Sequence, residues 1–245
     1  MPTALENIRN RLKDAPARAR AAWHMSRSTG MLWEIRPAGV FELLRSINRD
    51  YANPSLVFTV HAKNPPSRVA LRFRGRSTTY GELDDRIDRL ASGLVGRGLS
   101  RKQSVLVMMK NRPELIELGA AAGRAGAAQV AVSWRSTPSE LAYLAGNSGA
   151  RFAFFDHTLW PTVEQALSKI DLPRDRFVAV GGDVPGCVRY EDVLSTEKRK
   201  IEGDDEAAAV VTYTSGTTGK PKGAIRRFPR EMFVQMLEFI SETPI

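Results

Sequence analysis

Apolar and polar positions follow two rhythms along this chain, and the rhythms take turns. Apolar runs at 104–109, 127–132, 152–155, 177–180 and 207–213 have the length of buried strands. Between them the apolar residues recur at helical spacing. Tyr80, Leu83, Ile87, Leu90 and Leu94 mark one helix face, and Thr79 with Glu82 has the spacing of a capping box at its start. Leu115, Ile116 and Leu118 fall in a second helix, which Asn111 and Glu114 are placed to cap. Thr137, Pro138 and Glu140 open a third, with proline in its first turn. Strands separated by helices predict an α/β fold with a mainly parallel sheet flanked by helices. Gly181 to Gly186 reads as a loop, and the polar stretch 202–206 as the lead-in to a last strand.

The two ends have a different character. In residues 1–27, Leu5, Ile8 and Leu12 share a helical face, and Arg9, Arg11, Lys13, Arg18, Arg20 and Arg27 outnumber Glu6 and Asp14. A second helical pattern spans 40–47. Residues 1–54 are therefore expected to form a basic helical extension, and residues 55–245 the α/β domain. The extension can be read as a helix packed on the domain or a frayed end, as a peripheral membrane contact, or as an organellar transit peptide. At the far end Phe233, Met236, Leu237 and Ile240 form an apolar stripe after Pro229, which predicts a helix.

Composition narrows the field without deciding it. The chain has 245 residues, 42% of them hydrophobic, which is enough for a core. Its net charge of +9 comes from Lys and Arg that often sit beside acids, as in Asp84-Asp85-Arg86 and Glu197-Lys198-Arg199-Lys200. That interleaving reads as solvated faces. No helix-turn-helix, zinc-finger or RNP pattern accompanies the charge, so a specific nucleic-acid partner is not expected. Attraction to anionic lipid or to acidic substrates stays open. The single cysteine, Cys187, excludes an internal disulfide and reads as a buried or loop thiol. His24, His61 and His157 lack metal-ligand spacing, so no metal site is expected on the protein itself. No apolar run reaches the roughly 18 residues of a bilayer span. A cytoplasmic location is expected, with any membrane contact peripheral.

The chemistry concentrates in Thr214-Ser215-Gly216-Thr217-Thr218-Gly219-Lys220-Pro221-Lys222-Gly223. Glycines let the backbone approach a ligand closely. The hydroxyls of Thr214, Ser215, Thr217 and Thr218 and the turn's amides can donate to phosphate oxygens, while Lys220 and Lys222 supply countercharge. The stretch follows an apolar run, so it falls at the end of a strand, where α/β folds bind ligands. It is not a Walker A loop, because only Thr217 and Thr218 separate Gly216 from Gly219, and Pro221 follows Lys220.

Tyr213 through Gly223 resembles, residue for residue, the signature loop of the adenylate-forming enzymes. Further similarity lies upstream. Val69 to Phe73 followed by Thr78-Thr79-Tyr80-Gly81-Glu82-Leu83 resembles that family's opening strand and helix start. Ser104 to Met109 with Asn111-Arg112-Pro113-Glu114, and Ala127 to Val132 with Trp134 to Leu144, resemble its next strand–helix segments. The resemblance covers about residues 55–228 and implies ATP-dependent activation of a carboxylic acid, first of all a fatty acid. The acid would become an acyl-adenylate and then an acyl-CoA, with ATP, Mg2+ and coenzyme A as cofactors or co-substrates. It implies that Thr214, Ser215, Gly216, Thr217, Thr218, Gly219, Lys220 and Lys222 hold the phosphates of ATP. It also implies that 55–245 is an incomplete N-terminal domain, with catalytic residues elsewhere, and leaves open a separately encoded C-terminal half as a partner. On this reading the chain alone is expected to be inactive. An aryl or short-chain acid ligase, a nonenzymatic remnant and a basic interaction module stay open as alternatives.

Overall fold

The computed structural model describes residues 37–38, 55–199, 201, 209–214 and 222–227. The expected helical extension over 1–54 lies outside them except for 37–38 and so does the stripe Phe233 to Ile240.

Helix α1 (Leu56–Lys63) leads into an antiparallel hairpin of β1 (Val69–Phe73) and β2 (Arg76–Thr79). Phe73 pairs with Arg76 across Arg74 and Gly75, whose φ angles are 48° and 78°. Two successive positive φ values are the mark of the tight turn that suits twisted hairpin strands. The chain then alternates: α2 (Tyr80–Gly96), β3 (Ser104–Met108), α3 (Pro113–Arg124), β4 (Ala128–Val132), α4 (Pro138–Ser148), β5 (Ala150–Asp156), α5 (Trp160–Ala166) and β6 (Phe177–Val180). A two-residue β7 (Val188–Arg189), a single turn of helix α6 (Tyr190–Val193), β8 (Ala209–Thr214) and β9 (Lys222–Arg227) follow.

The second sheet has seven strands in the order β7-β6-β5-β3-β4-β8-β9. Every neighbouring pair runs parallel except β8 and β9. Its central strands are apolar on both sides because both faces are covered. Val105, Val107, Phe152, Phe154, Val178 and Val180 pack toward α2, α3 and α6. Leu106, Met108, Ala153, Phe155, Phe177 and Ala179 pack toward α4 and α5.

Local chemistry explains the helix starts. Thr79 and Thr137 each accept from the backbone three residues on, and Glu82 and Glu140 bond back, so both capping boxes are complete. The start of α3 departs from expectation. Neither Asn111 nor Glu114 caps it: Arg112 holds the cap position in extended conformation with no side-chain cap bond, and Pro113 takes the first turn. Proline at the first position leaves one fewer unsatisfied N–H and its fixed φ suits the helix start, while Glu114 is drawn to the Arg112 guanidinium.

Buried charge ties the first layer together. Glu117, 3% exposed, accepts from Arg86 Nε at 2.8 Å and from the Tyr190 hydroxyl at 2.9 Å. Arg86 also bonds Glu191 at 2.8 Å, so α2, α3 and α6 share one network. Burial works against the Arg86 charge, but its bonds to Glu191 and Glu117 outweigh that and hold the guanidinium protonated. Arg124 joins Asp84, Asp88 and, at 2.8 Å, Thr59, pinning α1 against α2 and α3. Between α2 and α6 the approach is very close: a Cβ on Gly93 would stand 1.7 Å from the Val193 carbonyl oxygen. Cys187 is half-buried, and burial pushes its thiol up from its ordinary range.

Candidate nucleotide-binding site

The loop singled out in the sequence is suspended between two paired strands. Thr214 ends β8 and Lys222 begins β9, and the two residues face each other on the antiparallel ladder. Ser215, Gly216, Thr217, Thr218, Gly219 and Lys220 lie outside the described residues, as do the side chains of Thr214 and Lys222. What the structure fixes is where the loop is rooted. β8 runs parallel to β4, with Ala128 opposite Ala209, so Thr214 lies at the carboxyl edge of the sheet. β9 then returns along the outer side of β8.

The carboxyl edge has two further clusters. After β3 and β4, Lys110 and Arg135 both lie over the Trp134 ring, at 5.4 Å and 4.6 Å from its centroid. Trp134 is 41% exposed. Cations over the face of an indole are attracted by its quadrupole, so the two positive groups converge on one exposed ledge.

The second cluster joins the ends of β3 and β5. Strand β3 is followed by α3 on one face of the sheet, and β5 by α5 on the other, which makes their junction a switch point where α/β sheets open a crevice for ligands. Here a side chain fills it. Arg112 Nη1 lies 3.1 Å from Asp156 Oδ2 and 3.2 Å from the Val180 carbonyl, while Nε and Nη2 grip Glu114 at 2.9 and 3.0 Å. Burial alone would raise the carboxyls of Glu114 and Asp156. For Glu114 the Arg112 bonds outweigh it, and for Asp156 the bonds from Thr158 together with Arg112 do, so both stay below the usual carboxylate range. A Cβ on Gly181, at φ 85°, would meet Arg112 Nη1 at 2.4 Å, so a side chain there would be strained and would displace the guanidinium. His157 lies beside this group, with Nδ1 3.2 Å from the Val180 carbonyl oxygen. The loop at β8 is rooted on the same carboxyl edge, with β4 between it and the β3–β5 switch point that Arg112 fills.

A cleft of about 750 Å³ under the β1–β2 hairpin is lined by Arg76, Ser77, Glu82, Arg86, Glu114 and Glu117 among others. Several of its charged groups are already engaged: Glu82 closes a capping box with Thr79, and Arg86 bridges Glu117 and Glu191. Among the described residues no group of three or more His, Cys, Asp or Glu could hold a metal ion. No helix among them is long and apolar enough to cross a membrane.

A doubly wound α/β sheet with a Ser/Thr/Gly/Lys loop rooted at its carboxyl edge defines a class of nucleotide-handling domain. Residues 58–243 match the model of the AMP-binding enzymes, and the chain belongs to that family. It is 28% identical over 165 residues to a fatty acid–[acyl-carrier-protein] ligase, ScoC, of Streptomyces coeruleorubidus, over 67% of this chain and 31% of that protein. It is 30% identical over 174 residues to an indoleacetate–CoA ligase of Aromatoleum aromaticum, over 67% of this chain and 33% of that protein. The chain thus spans about a third of the length of these curated relatives. In fold it is similar to the apo structure of MbtA from Mycobacterium smegmatis, with a TM-score of 0.62 and 23% identity over 81% of this chain and 38% of that one.

Proposed function

We propose that this chain supplies the phosphate-holding part of an enzyme that activates a carboxylic acid with ATP. The single observation that carries the reading is the rooting of the Thr214–Gly223 motif at the carboxyl edge, with Thr214 opposite Lys222. In the reaction, a substrate carboxylate oxygen forms a bond to the α-phosphorus of ATP, and the bond from that phosphorus to the bridging oxygen of the β-phosphate breaks. Pyrophosphate leaves with that electron pair. The thiolate of coenzyme A then attacks the acyl carbon and releases AMP. The part assigned here to Thr214, Ser215, Gly216, Thr217, Thr218, Gly219, Lys220 and Lys222 is to hold the β- and γ-phosphates in line and offset their charge as pyrophosphate departs. Magnesium enters this reading as the counter-ion that ATP brings on its own phosphates.

Within the reading a fatty acid is the acid first expected, from Gly223-Ala224-Ile225-Arg226-Arg227 after the loop and the basic N-terminal segment, which would also serve any peripheral membrane contact. Relatives named for a fatty acid and for indoleacetate define the panel to be compared. The test is a titration of the purified chain with MgATP, followed at the Thr214 and Lys222 amides. Wild type should respond, and Lys220→Ala with Lys222→Ala should weaken the response at least about tenfold, since each charge-assisted bond to phosphate contributes about 1.5–3 kcal/mol. A wild-type chain whose loop amides ignore MgATP would sink the assignment.

A further inference from the structure

The rung of the β8–β9 ladder just inside the loop has a construction that the motif's chemistry does not explain. Tyr213 pairs with Gly223, immediately before Thr214 pairs with Lys222. The Tyr213 ring lies over the glycine: a Cβ at 223 would stand 3.0 Å from Tyr213 Cζ and 3.2 Å from Cε1. That is tighter than nearly all Cβ contacts, so the bare α-carbon is the seat on which the ring rests. At its far end the Tyr213 hydroxyl donates to Asn147 Oδ1 at 2.8 Å. Asn147 belongs to α4, packed on the sheet face that carries Leu106 and Phe155. The chain is thus tied to a helix of the central domain at the point where it leaves the sheet for the loop. β9 has no such support on its outer side among the described residues, where it forms the edge of the sheet.

We propose that Tyr213 is a positioning residue for the phosphate loop, acting through its ring on Gly223 and its hydroxyl on Asn147. The proposal rests on the reading of the loop given above. Tyr213 touches no nucleotide in this role. It fixes the orientation of the last rung, and with it the direction in which both feet of the loop point. A contact that merely adds stability would leave the affinity for a phosphate ligand unchanged as long as the domain stays folded. A positioning contact changes it.

The experiment is a double-mutant cycle on the full chain, read by MgATP affinity and by amide hydrogen exchange along β8 and β9. Tyr213→Phe and Asn147→Ala should each weaken MgATP binding about three- to tenfold, the range expected for loss of one hydrogen bond. The double variant should be no weaker than either single one, because both remove the same bond. Asn147→Asp, which keeps the acceptor oxygen, should restore the wild-type affinity. Exchange should quicken at Thr214 and Gly223 and stay unchanged at Val210. Gly223→Ala should lower affinity by displacing the ring, and Tyr213→Leu in that background should recover part of it. Wild-type binding with unchanged affinity in Tyr213→Phe and Asn147→Ala overturns the proposal, and so do losses that simply multiply in the double variant. A wild-type chain that does not bind MgATP overturns the loop's assignment and this role together, an outcome distinct from the other two.

Discussion

Arg112 and Asp156 meet at 3.1 Å across the carboxyl ends of β3 and β5, inside the crevice that the strand order opens. Their side chains are 14% and 10% exposed, and the same guanidinium also holds Glu114. One arginine therefore neutralises two carboxylates, one on the α3 turn and one at the end of β5.

Arg112→Met should cost about 3 kcal/mol, because it leaves two enclosed carboxylates without their cation. The cost should depend on pH. Glu114 and Asp156 are held below their ordinary values, so the folded chain binds fewer protons than the unfolded chain in mild acid. Their contribution is complete above the unfolded carboxylate values and is lost as pH falls through the folded ones. Urea midpoints measured from neutrality into the acid range should fall for wild type and fall less for Arg112→Met. Parallel curves would show that Arg112 does not set these carboxyls.

Gly93→Ala should be among the most damaging single-methyl additions in the chain. The added carbon would lie 1.7 Å from a backbone oxygen, which cannot rotate away as a side chain can. Either α2 or the α6 turn must move, breaking the Ser195 amide bond to the Arg89 carbonyl at 3.0 Å. Overpacking of this kind costs about 3 kcal/mol at the upper end of its usual range. Thermal melting of the variant checks this, and a change within error of zero would mean that the turn at Val193 yields freely.

The purified chain, given ATP, a fatty or aryl acid and coenzyme A, should release no AMP. It spans about a third of the length of the ligases it matches, and the role proposed for the loop concerns the phosphates alone. Removing a single donor from a preorganised site lowers turnover about 100- to 1000-fold, so a phosphate-holding loop acting by itself should fall below detection. Acid-dependent AMP release by this polypeptide alone would overturn the expectation.

The parts of the fold that burial dictates were legible in the sequence. β3, β5 and β6 are covered on both faces and so read as apolar runs, and Thr79 with Glu82 names the start of α2. What burial does not dictate was hidden. β2 is Arg-Ser-Thr-Thr, exposed or half-buried throughout, and its form comes from the pairing with β1 across the Arg74-Gly75 turn. β9 owes its form to the ladder with β8: its one large apolar residue, Ile225, is 64% exposed. The site divides in the same way. The loop is contiguous and announces itself, whereas Arg112 and Asp156 are 44 residues apart and meet only because β5 lies beside β3. Trp134 with Lys110, and Tyr213 with Asn147, were invisible for the same reason: spacing along the chain does not reveal strand order.

The position of β8 also bears on the order in which the molecule is made. Ala209 must find Ala128, and β5, β6 and β7 all lie between them in the chain. Closing so long a loop before any contact rewards it is slow, and domains emerging from the ribosome begin to assemble from their N-terminal part. β3, β4, β5 and β6 can settle against their helices while β8 is still to come. β8 then docks late, onto a sheet already formed, and β9 can pair only after it. A ligand that grips the loop between β8 and β9 would act on a late step of folding, and its presence during refolding should favour the docked product rather than hasten the collapse that precedes it.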